Sequence, residues 1–114
     1  MLTVQLSGAF RVALASGEDV TPASKLRCAL LAVLAEAQDH TVSRARLQEM
    51  FWGLADAKKA SGSLRSALFQ LRRDFEGVGT DVISPHPNHV SLTDGLWSIE
   101  RSDVSDLFLE GLDL

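Results

Sequence analysis

The sequence contains one cysteine, Cys28, among 114 residues. An intramolecular disulfide is therefore excluded, and a single thiol fits a reducing compartment. The longest purely apolar run, residues 29–35, is far shorter than the about 20 residues that a membrane-spanning helix needs. The N-terminus also lacks the basic stretch and the small-residue cleavage site of a signal peptide. The sequence therefore predicts a cytoplasmic protein that has no membrane partner.

Patterns that would indicate catalysis or metal binding are also scarce. No glycine-rich phosphate loop occurs, and the carboxylates are scattered along the chain. His86 and His89 form an H-x-x-H pattern, but they flank a predicted turn and have no third ligand nearby. Cys28 lies in a leucine-rich segment, which favours a small core residue over a nucleophile. The sequence predicts no enzymatic activity, no metal and no other cofactor.

Positive charge is in deficit overall but is concentrated in the middle of the chain. The formal net charge is -4, which by itself argues mildly against a nucleic-acid partner. Residues 25–73, however, contain nine basic and four acidic residues, a net charge of +5. The two flanks together contain two basic and eleven acidic residues. This asymmetry indicates a basic face on an acidic protein.

The first part of the chain has the pattern of a hairpin followed by a helix. Residues 2–14 alternate apolar and polar side chains around a Ser-Gly turn, which is typical of two paired strands. Residues 19–21 offer a third short strand. The pattern then predicts a helix over residues 21–38, with Thr21 as its N-cap and Pro22 at its first position.

Two further helices and a set of strands follow. Ser43 is a natural N-cap for a second helix over residues 43–52, and Gly53 lies just past its end. Leucines at helical spacing predict a third helix over about residues 57–76. Residues 81–100 then predict two or three strands around a Pro/Asn turn. The predicted fold class is α+β: a winged helix-turn-helix with a small N-terminal antiparallel sheet, three helices and a C-terminal β-hairpin wing.

Four blocks of this sequence resemble the DNA-binding domain of SARP-like (antibiotic-regulatory-type) transcription factors, a branch of the OmpR/PhoB-type winged helices. The matching blocks are the basic pair Lys25 and Arg27 before an Ala/Leu-rich helix, "VSRARL" at 42–47, "FWG" at 51–53 and "SLRSALFQLRR" at 63–73. The blocks occur in the family's order, and the resemblance covers about residues 2–108.

The resemblance implies a domain organisation and a way of binding DNA. Residues 1–108 would form the winged-helix domain, and residues 109–114 would begin a linker to a following domain. The third helix would enter the major groove, with the wing over the adjacent minor groove or backbone. Two copies would bind in tandem on a direct repeat, and RNA polymerase is a further candidate partner.

The third helix also offers chemistry suited to reading bases. Opposite its predicted buried stripe lie four residues that share one helical face. Arginine can donate two hydrogen bonds to guanine, serine can bond a base edge, and phenylalanine can contact a thymine methyl group. Glycine lets the backbone come close to DNA. The candidate base-contacting residues are Gly62, Arg65, Ser66 and Phe69. Burial of Phe69 against the wing or a second protomer is an equally open interpretation.

Several other residues are candidates for phosphate contacts. Arg72 and Arg73 lie far along the third helix, where phosphate contact is favoured over base reading. Ser43 and Arg44 begin the second helix, whose free N–H groups can hold a phosphate; simple capping by Ser43 is compatible with this role. The full set of candidates is Lys25, Arg27, Ser43, Arg44, Lys58, Lys59, Arg72 and Arg73. For the first two, a solvated helix start is an equal alternative.

The predicted wing departs from the family pattern. Relatives usually have a Gly-Tyr pair and often an arginine there, whereas this chain has "SPHPNHVSL" and no lysine or arginine between Arg73 and Arg101. His86, Asn88 and His89 are the polar side chains that remain. Wing contacts with DNA are therefore expected to be weak or to use these three residues, and to strengthen when the histidines gain charge in acid.

Two functions follow from the sequence. The first is sequence-specific double-stranded DNA binding by a bacterial transcriptional regulator. The second is a winged-helix protein–protein interaction module without DNA binding, which would use Phe69 and the neutral wing. The acidic flanks and an isoelectric point near 5.2 favour the second.

Overall fold

The computed structural model describes residues 2–6 and 8–100. Six strands and three α-helices occur in these residues. They are β1 Leu2–Gln5, β2 Arg11–Leu14, α1 Lys25–Glu36, β3 Thr41–Ser43, α2 Arg44–Trp52, α3 Ala57–Asp74, β4 Ile83–Pro85, β5 His89–Leu92 and β6 Trp97–Glu100. This order confirms the α+β class, and the topology is consistent with a winged helix. The predicted linker, residues 109–114, lies outside the described residues.

The N-terminal sheet has the strand order β2-β1-β6. The predicted hairpin of β1 and β2 is confirmed, but β6 pairs with β1 in parallel, with Leu2 opposite Trp97. The sheet is thus mixed and not purely antiparallel. Residues 19–21 do not form its third strand, since Asp19 makes only an isolated bridge to Ala13. Parallel neighbours need a long crossover, and the three helices provide it.

The second sheet has the order β3-β5-β4, and all its pairs are antiparallel. The predicted C-terminal hairpin is confirmed as β4 and β5. The third strand, β3, lies at the junction between the first two predicted helices, where the sequence pattern predicts no strand. Its Val42 is buried and pairs with Val90. A strand of three residues is too short to show an alternating pattern, so only its partner reveals it.

Helix α1 begins three residues later than its sequence pattern predicts. Its N-cap is Ser24, whose hydroxyl accepts a hydrogen bond from the Arg27 N–H. The predicted cap, Thr21, has another role: it accepts from the Val12 N–H at 2.9 Å and donates to Asp19 Oδ1 at 2.6 Å. The Thr21 hydroxyl and N–H together lower the pKa of the Asp19 carboxyl. The hydroxyl therefore ties the chain back to the hairpin and is not available as a cap.

Helices α2 and α3 have defined starts and a tight connection. Ser43 caps α2 by accepting from the Arg46 N–H, as the sequence predicts, and Asp56 caps α3 by accepting from the Lys59 N–H. In the turn between them, a Cβ on Gly53 would lie 2.6 Å from the Glu49 carbonyl oxygen. Glycine is therefore required where α2 ends, because any larger residue would force the turn apart.

The predicted apolar stripe of α3 is confirmed as its buried side. Leu64, Leu71 and Phe75 are almost completely buried, and the Phe75 ring meets the Trp97 ring edge-on at a centroid distance of 5.8 Å. The Trp97 indole N–H donates to the Val82 carbonyl at 2.7 Å. These contacts tie the end of α3 to β6 and to the start of the second hairpin, which fixes the side of α3 that faces outward. None of the described helices is long and apolar enough to cross a membrane.

Candidate nucleic-acid interface

The four candidate base-contacting residues lie together on the exposed side of α3. Gly62, Arg65, Ser66 and Phe69 are all exposed, and we refer to them as the outer face of α3. A Cβ placed on Gly62 would meet no atom within 4 Å, so the fold itself does not demand a glycine there. The open space at Gly62 is a place where another molecule can approach the helix backbone closely.

Two lysines extend this face at the start of α3. Lys58 and Lys59 are exposed, and the Lys59 N–H is bonded to the Asp56 cap. The N-terminus of a helix carries a partial positive charge, which lysines there add to and do not neutralise. The beginning of α3 is therefore electropositive despite the acidic cap.

Phe69 is exposed to 56% and lies beside a cation. The Arg73 guanidinium carbon is 5.9 Å from the centre of the Phe69 ring. Both residues line a shallow surface depression with Arg72, Glu76 and Asp81. A large apolar ring in contact with solvent at this position suits a flat apolar partner, whether that partner is a base or a protein side chain.

The two arginines at the end of α3 each face an acidic residue. Arg72 Nη2 is 3.1 Å from Asp81 Oδ1, and Arg73 Nε is 3.9 Å from Glu76 Oε1. Both pairs are exposed, so each is weak and can exchange for another anion. Within the described residues Arg65 has no such ion pair, and it is the arginine of α3 whose charge is not offset by a nearby acid.

Arg27, a candidate phosphate contact, is bound to another helix. Its Nε lies 2.6 Å from Asp74 Oδ2 and its Nη2 lies 3.2 Å from Asp74 Oδ1. About a fifth of each side chain is exposed, 22% and 20%. This two-pronged ion pair joins the start of α1 to the end of α3. Its neighbour Lys25 is exposed and makes no ion pair among the described residues.

Arg44 and Ser43, at the start of α2, lie against the turn of the second hairpin. Arg44 Nε donates to the His86 carbonyl at 2.6 Å, and the Arg44 N–H donates to the Asn88 carbonyl at 2.9 Å. Ser43 pairs with His89 across the sheet. We refer to residues 86–88 as the wing turn. The structure therefore brings the start of α2 and the wing turn into direct contact.

The polar side chains of the wing cluster at one end of the hairpin. The His86 and His89 rings stack with their centroids 4.4 Å apart and their planes 23° apart. Asn88 is exposed beside them. No group of three potential metal-binding side chains occurs in the part of the chain that the structure describes. Stacked imidazoles leave their edges free for hydrogen bonds to an approaching partner.

The structure reveals an exposed apolar surface that the sequence pattern did not indicate. Leu54, in the turn between α2 and α3, is fully exposed, and Met50 is exposed to 49%. Together with Phe51 and Trp52 they line an open depression. An apolar residue inside a Gly-containing turn was the available sign, since turns of this kind usually carry polar residues.

Cys28 does not belong to this interface. Its thiol donates to the Pro22 carbonyl at 3.3 Å, and burial, followed by the nearby Asp74 carboxylate, raises the pKa of the thiol. A raised pKa leaves less reactive thiolate at neutral pH, which is what a packed structural cysteine shows.

The class that the fold defines is a small α+β domain consistent with a winged helix, with basic residues on the exposed side of its third helix. Comparisons of the chain with protein-family models, with curated proteins and with solved structures give no match. The class therefore rests on the topology alone.

Proposed function

We propose that this domain binds double-stranded DNA in a sequence-specific manner, as part of a bacterial transcriptional regulator. The observation that carries the proposal is the outer face of α3. There an arginine that has no ion pair among the described residues, a serine, an aromatic ring and an open glycine lie in line on a helix whose other side is packed into the core. An α-helix of this size fits the major groove of B-DNA. The resemblance to SARP-like regulators supports the same placement.

The proposed base contacts follow from the chemistry of the outer face. Arg65 would donate two hydrogen bonds to O6 and N7 of a guanine, and Ser66 would bond a neighbouring base edge. Phe69 would pack on a thymine methyl group. Gly62 has no side chain to hold the helix away from the groove, so the backbone can sit deep enough for Arg65 to reach a base.

The proposed phosphate contacts involve the cations that are accessible. Lys58 and Lys59 act at the electropositive start of α3, and Lys25 acts at the start of α1. Arg72 and Arg73 would exchange their exposed carboxylate partners for phosphates, which costs little because such pairs are weak. Arg27 is engaged with Asp74, so it supports α3 from behind and does not reach for DNA.

The resemblance to SARP-like regulators extends the proposal to assembly. Two copies would bind head to tail on a direct repeat, and RNA polymerase is the candidate protein partner of the bound complex.

The deciding experiment is a selection of bound fragments from a random duplex pool, followed by titration of the enriched duplex. We expect enrichment of one motif and an affinity that falls steeply as the salt concentration rises. For variants of the α3 arginines, Arg11→Ala is the control for the loss of one positive charge. Arg11 is an exposed arginine on β2, in the N-terminal sheet. Failure to bind any duplex at low salt would overturn the proposal.

A second function is favoured by a specific set of observations. Leu54, Met50 and Phe69 are exposed, Arg72 and Arg73 are offset by acids, and the wing carries no lysine or arginine. These features suit a protein-interaction module that has the fold but does not bind DNA. Such a module would show no duplex binding at low salt, while Leu54→Ser and Phe69→Ser would abolish capture of its partner without unfolding the domain.

A further inference from the structure

The start of α2 and the wing turn are joined by two hydrogen bonds from one residue. The Arg44 side chain and the Arg44 backbone N–H each donate to a carbonyl of the wing turn, those of His86 and Asn88. The strand β3, which runs directly into α2, pairs with β5 at the other side of that turn. One residue therefore holds two of the three carbonyls of the wing turn.

The Arg44 guanidinium also supplies a hydrogen-bond donor for the His86 carbonyl of the wing turn. The turn has its own closing bond, from the His86 N–H to the His89 carbonyl at 2.8 Å, but the His86 carbonyl points to Arg44. A charged donor gives a stronger hydrogen bond than a neutral one. In the described residues, the wing has no lysine or arginine by which DNA phosphates could orient it. Its position must therefore be set by the protein.

We propose that Arg44 is a positioning residue that holds the wing turn against the start of α2 and so determines where Asn88 meets the DNA. This inference rests on the proposed function. It assigns to Arg44 a role different from phosphate contact, because the Nε–H is already bonded to the His86 carbonyl.

Three variants separate positioning from charge. In glutamine the side-chain amide nitrogen is the same number of bonds from the backbone as Nε is in arginine, so Arg44→Gln keeps the donor and loses the charge. Arg44→Met keeps the side chain as far as the position of Nε and loses both. Arg46→Met removes one charge from the same helix start, where Arg46 is exposed and its side chain makes no hydrogen bond or ion pair within the described residues.

The first measurement is amide hydrogen exchange of the free protein. We expect the His86 N–H to exchange about fivefold faster in Arg44→Met, because a hydrogen bond of this kind contributes on the order of 1 kcal/mol to holding the turn closed. Arg44→Gln, whose neutral amide makes a weaker bond to the same carbonyl, should exchange less than fivefold faster, and Arg46→Met should exchange at the wild-type rate. An unchanged rate in Arg44→Met would overturn the proposal, and this readout needs no DNA.

The second measurement is DNA affinity as a function of salt. For a positioning residue, Arg44→Met weakens binding about fivefold, Arg44→Gln weakens it less, and the slope of affinity against salt is unchanged in both. For a phosphate contact, both variants lose affinity and the slope falls by about 0.9. The second pattern would overturn the inference.

A coupled variant tests whether the effect passes through the wing. If Arg44 acts by placing Asn88, then Arg44→Met has no further effect on affinity in an Asn88→Ala background, because the group that it positions is gone. Additive losses would contradict this. If the wild-type domain binds no duplex at all, the proposed function fails by itself, while hydrogen exchange still decides whether Arg44 holds the turn.

Discussion

At the scale of single residues, the partner of each arginine decides its role. Arg27 is bonded to Asp74 across two helices, and Arg44 is bonded to a backbone carbonyl of the wing turn. Arg72 faces Asp81 in an exposed pair, whereas Arg65 has no acidic partner within the described residues. The same side chain thus supports the core, anchors a turn or offers its charge to a ligand, according to what lies within reach.

Arg65→Ala is predicted to relax sequence specificity. Loss of a two-pronged contact with guanine removes about 1–3 kcal/mol of discrimination at one position of the site. Arg72→Ala should instead weaken binding to every duplex alike, because a phosphate contact does not depend on the base. Titration of the selected duplex and of single-base variants measures both. If Arg65→Ala weakened all duplexes equally, Arg65 would be a backbone contact.

Asp81→Asn is predicted to strengthen DNA binding about twofold to threefold. The change removes the negative charge beside Arg72, so its guanidinium no longer has to leave a carboxylate before it can bind a phosphate. Asp94→Asn is the control, because Asp94 is exposed, and within the described residues it makes no ion pair. Anisotropy titrations of both variants at one salt concentration measure the difference. An equal gain in both variants would show that the effect comes from the change in net charge and not from the pair with Arg72.

At the scale of elements, one ion pair joins α1 to α3. Arg27 lies at the start of α1 and Asp74 at the end of α3, and about four fifths of each side chain is covered. The bond holds the last turn of α3 where Arg72 and Arg73 project. It therefore contributes to the geometry of the interface although it does not belong to it.

Arg27→Met is predicted to lower the free energy of unfolding by about 1–3 kcal/mol, because the partly buried Asp74 carboxylate loses its partner while the apolar stem is kept. Arg11→Met breaks the exposed pair of Arg11 with Asp19 and should cost less than Arg27→Met does, because water screens an exposed pair. Urea denaturation of the two variants measures the difference. Equal losses would show that burial adds nothing to the α1–α3 pair.

The wing is predicted to bind DNA more tightly in acid. Protonation of His86 or His89 places a positive charge beside the backbone phosphates. The two rings lie at the same end of the hairpin with their centroids 4.4 Å apart, so either ring would bring this charge to the same place. Titrations between pH 8 and pH 5.5 measure the gain in affinity, and the double variant His86→Ala/His89→Ala should remove the dependence. If the affinity still depended on pH in the double variant, the dependence would come from groups other than these two histidines.

At the scale of the whole molecule, the charge is divided between segments. Residues 25–73 carry a net charge of +5 and contain α1, α2 and all but the last residue of α3. The two flanks are strongly acidic. Within residues 25–73 the exposed positive residues lie at the starts of α1, α2 and α3 and along the exposed side of α3. An acidic protein of this kind can bind DNA through one face while the remainder repels nonspecific contact.

The affinity for the selected duplex is predicted to fall steeply with salt. If Lys25, Lys58, Lys59, Arg72 and Arg73 each neutralise one phosphate, the slope of log K against log salt is about −4.5. Measurements between low and physiological salt give the slope, and each alanine variant of these five should reduce it by about 0.9. A slope near zero would favour the protein-interaction module over DNA binding.

Local sequence patterns determined much of this protein. The spacing of Leu64, Leu68 and Leu71 predicted the buried side of α3 and, by opposition, its outer face, since a helix repeats every 3.6 residues whatever surrounds it. Ser43 predicted the start of α2 because a cap acts over three residues. The exposed side of α3 could therefore be predicted before the fold was known.

Tertiary structure alone decided what depends on residues distant in sequence. The pairing of Arg27 with Asp74, the parallel docking of β6 on β1 and the hold of Arg44 on the wing turn each join segments more than 40 residues apart. No local pattern records such a partner, because the contact exists only after the chain has closed on itself. Thr21 shows the opposite case. Its local sequence suits a helix cap, but in the folded chain its hydroxyl accepts a hydrogen bond from Val12 of the hairpin.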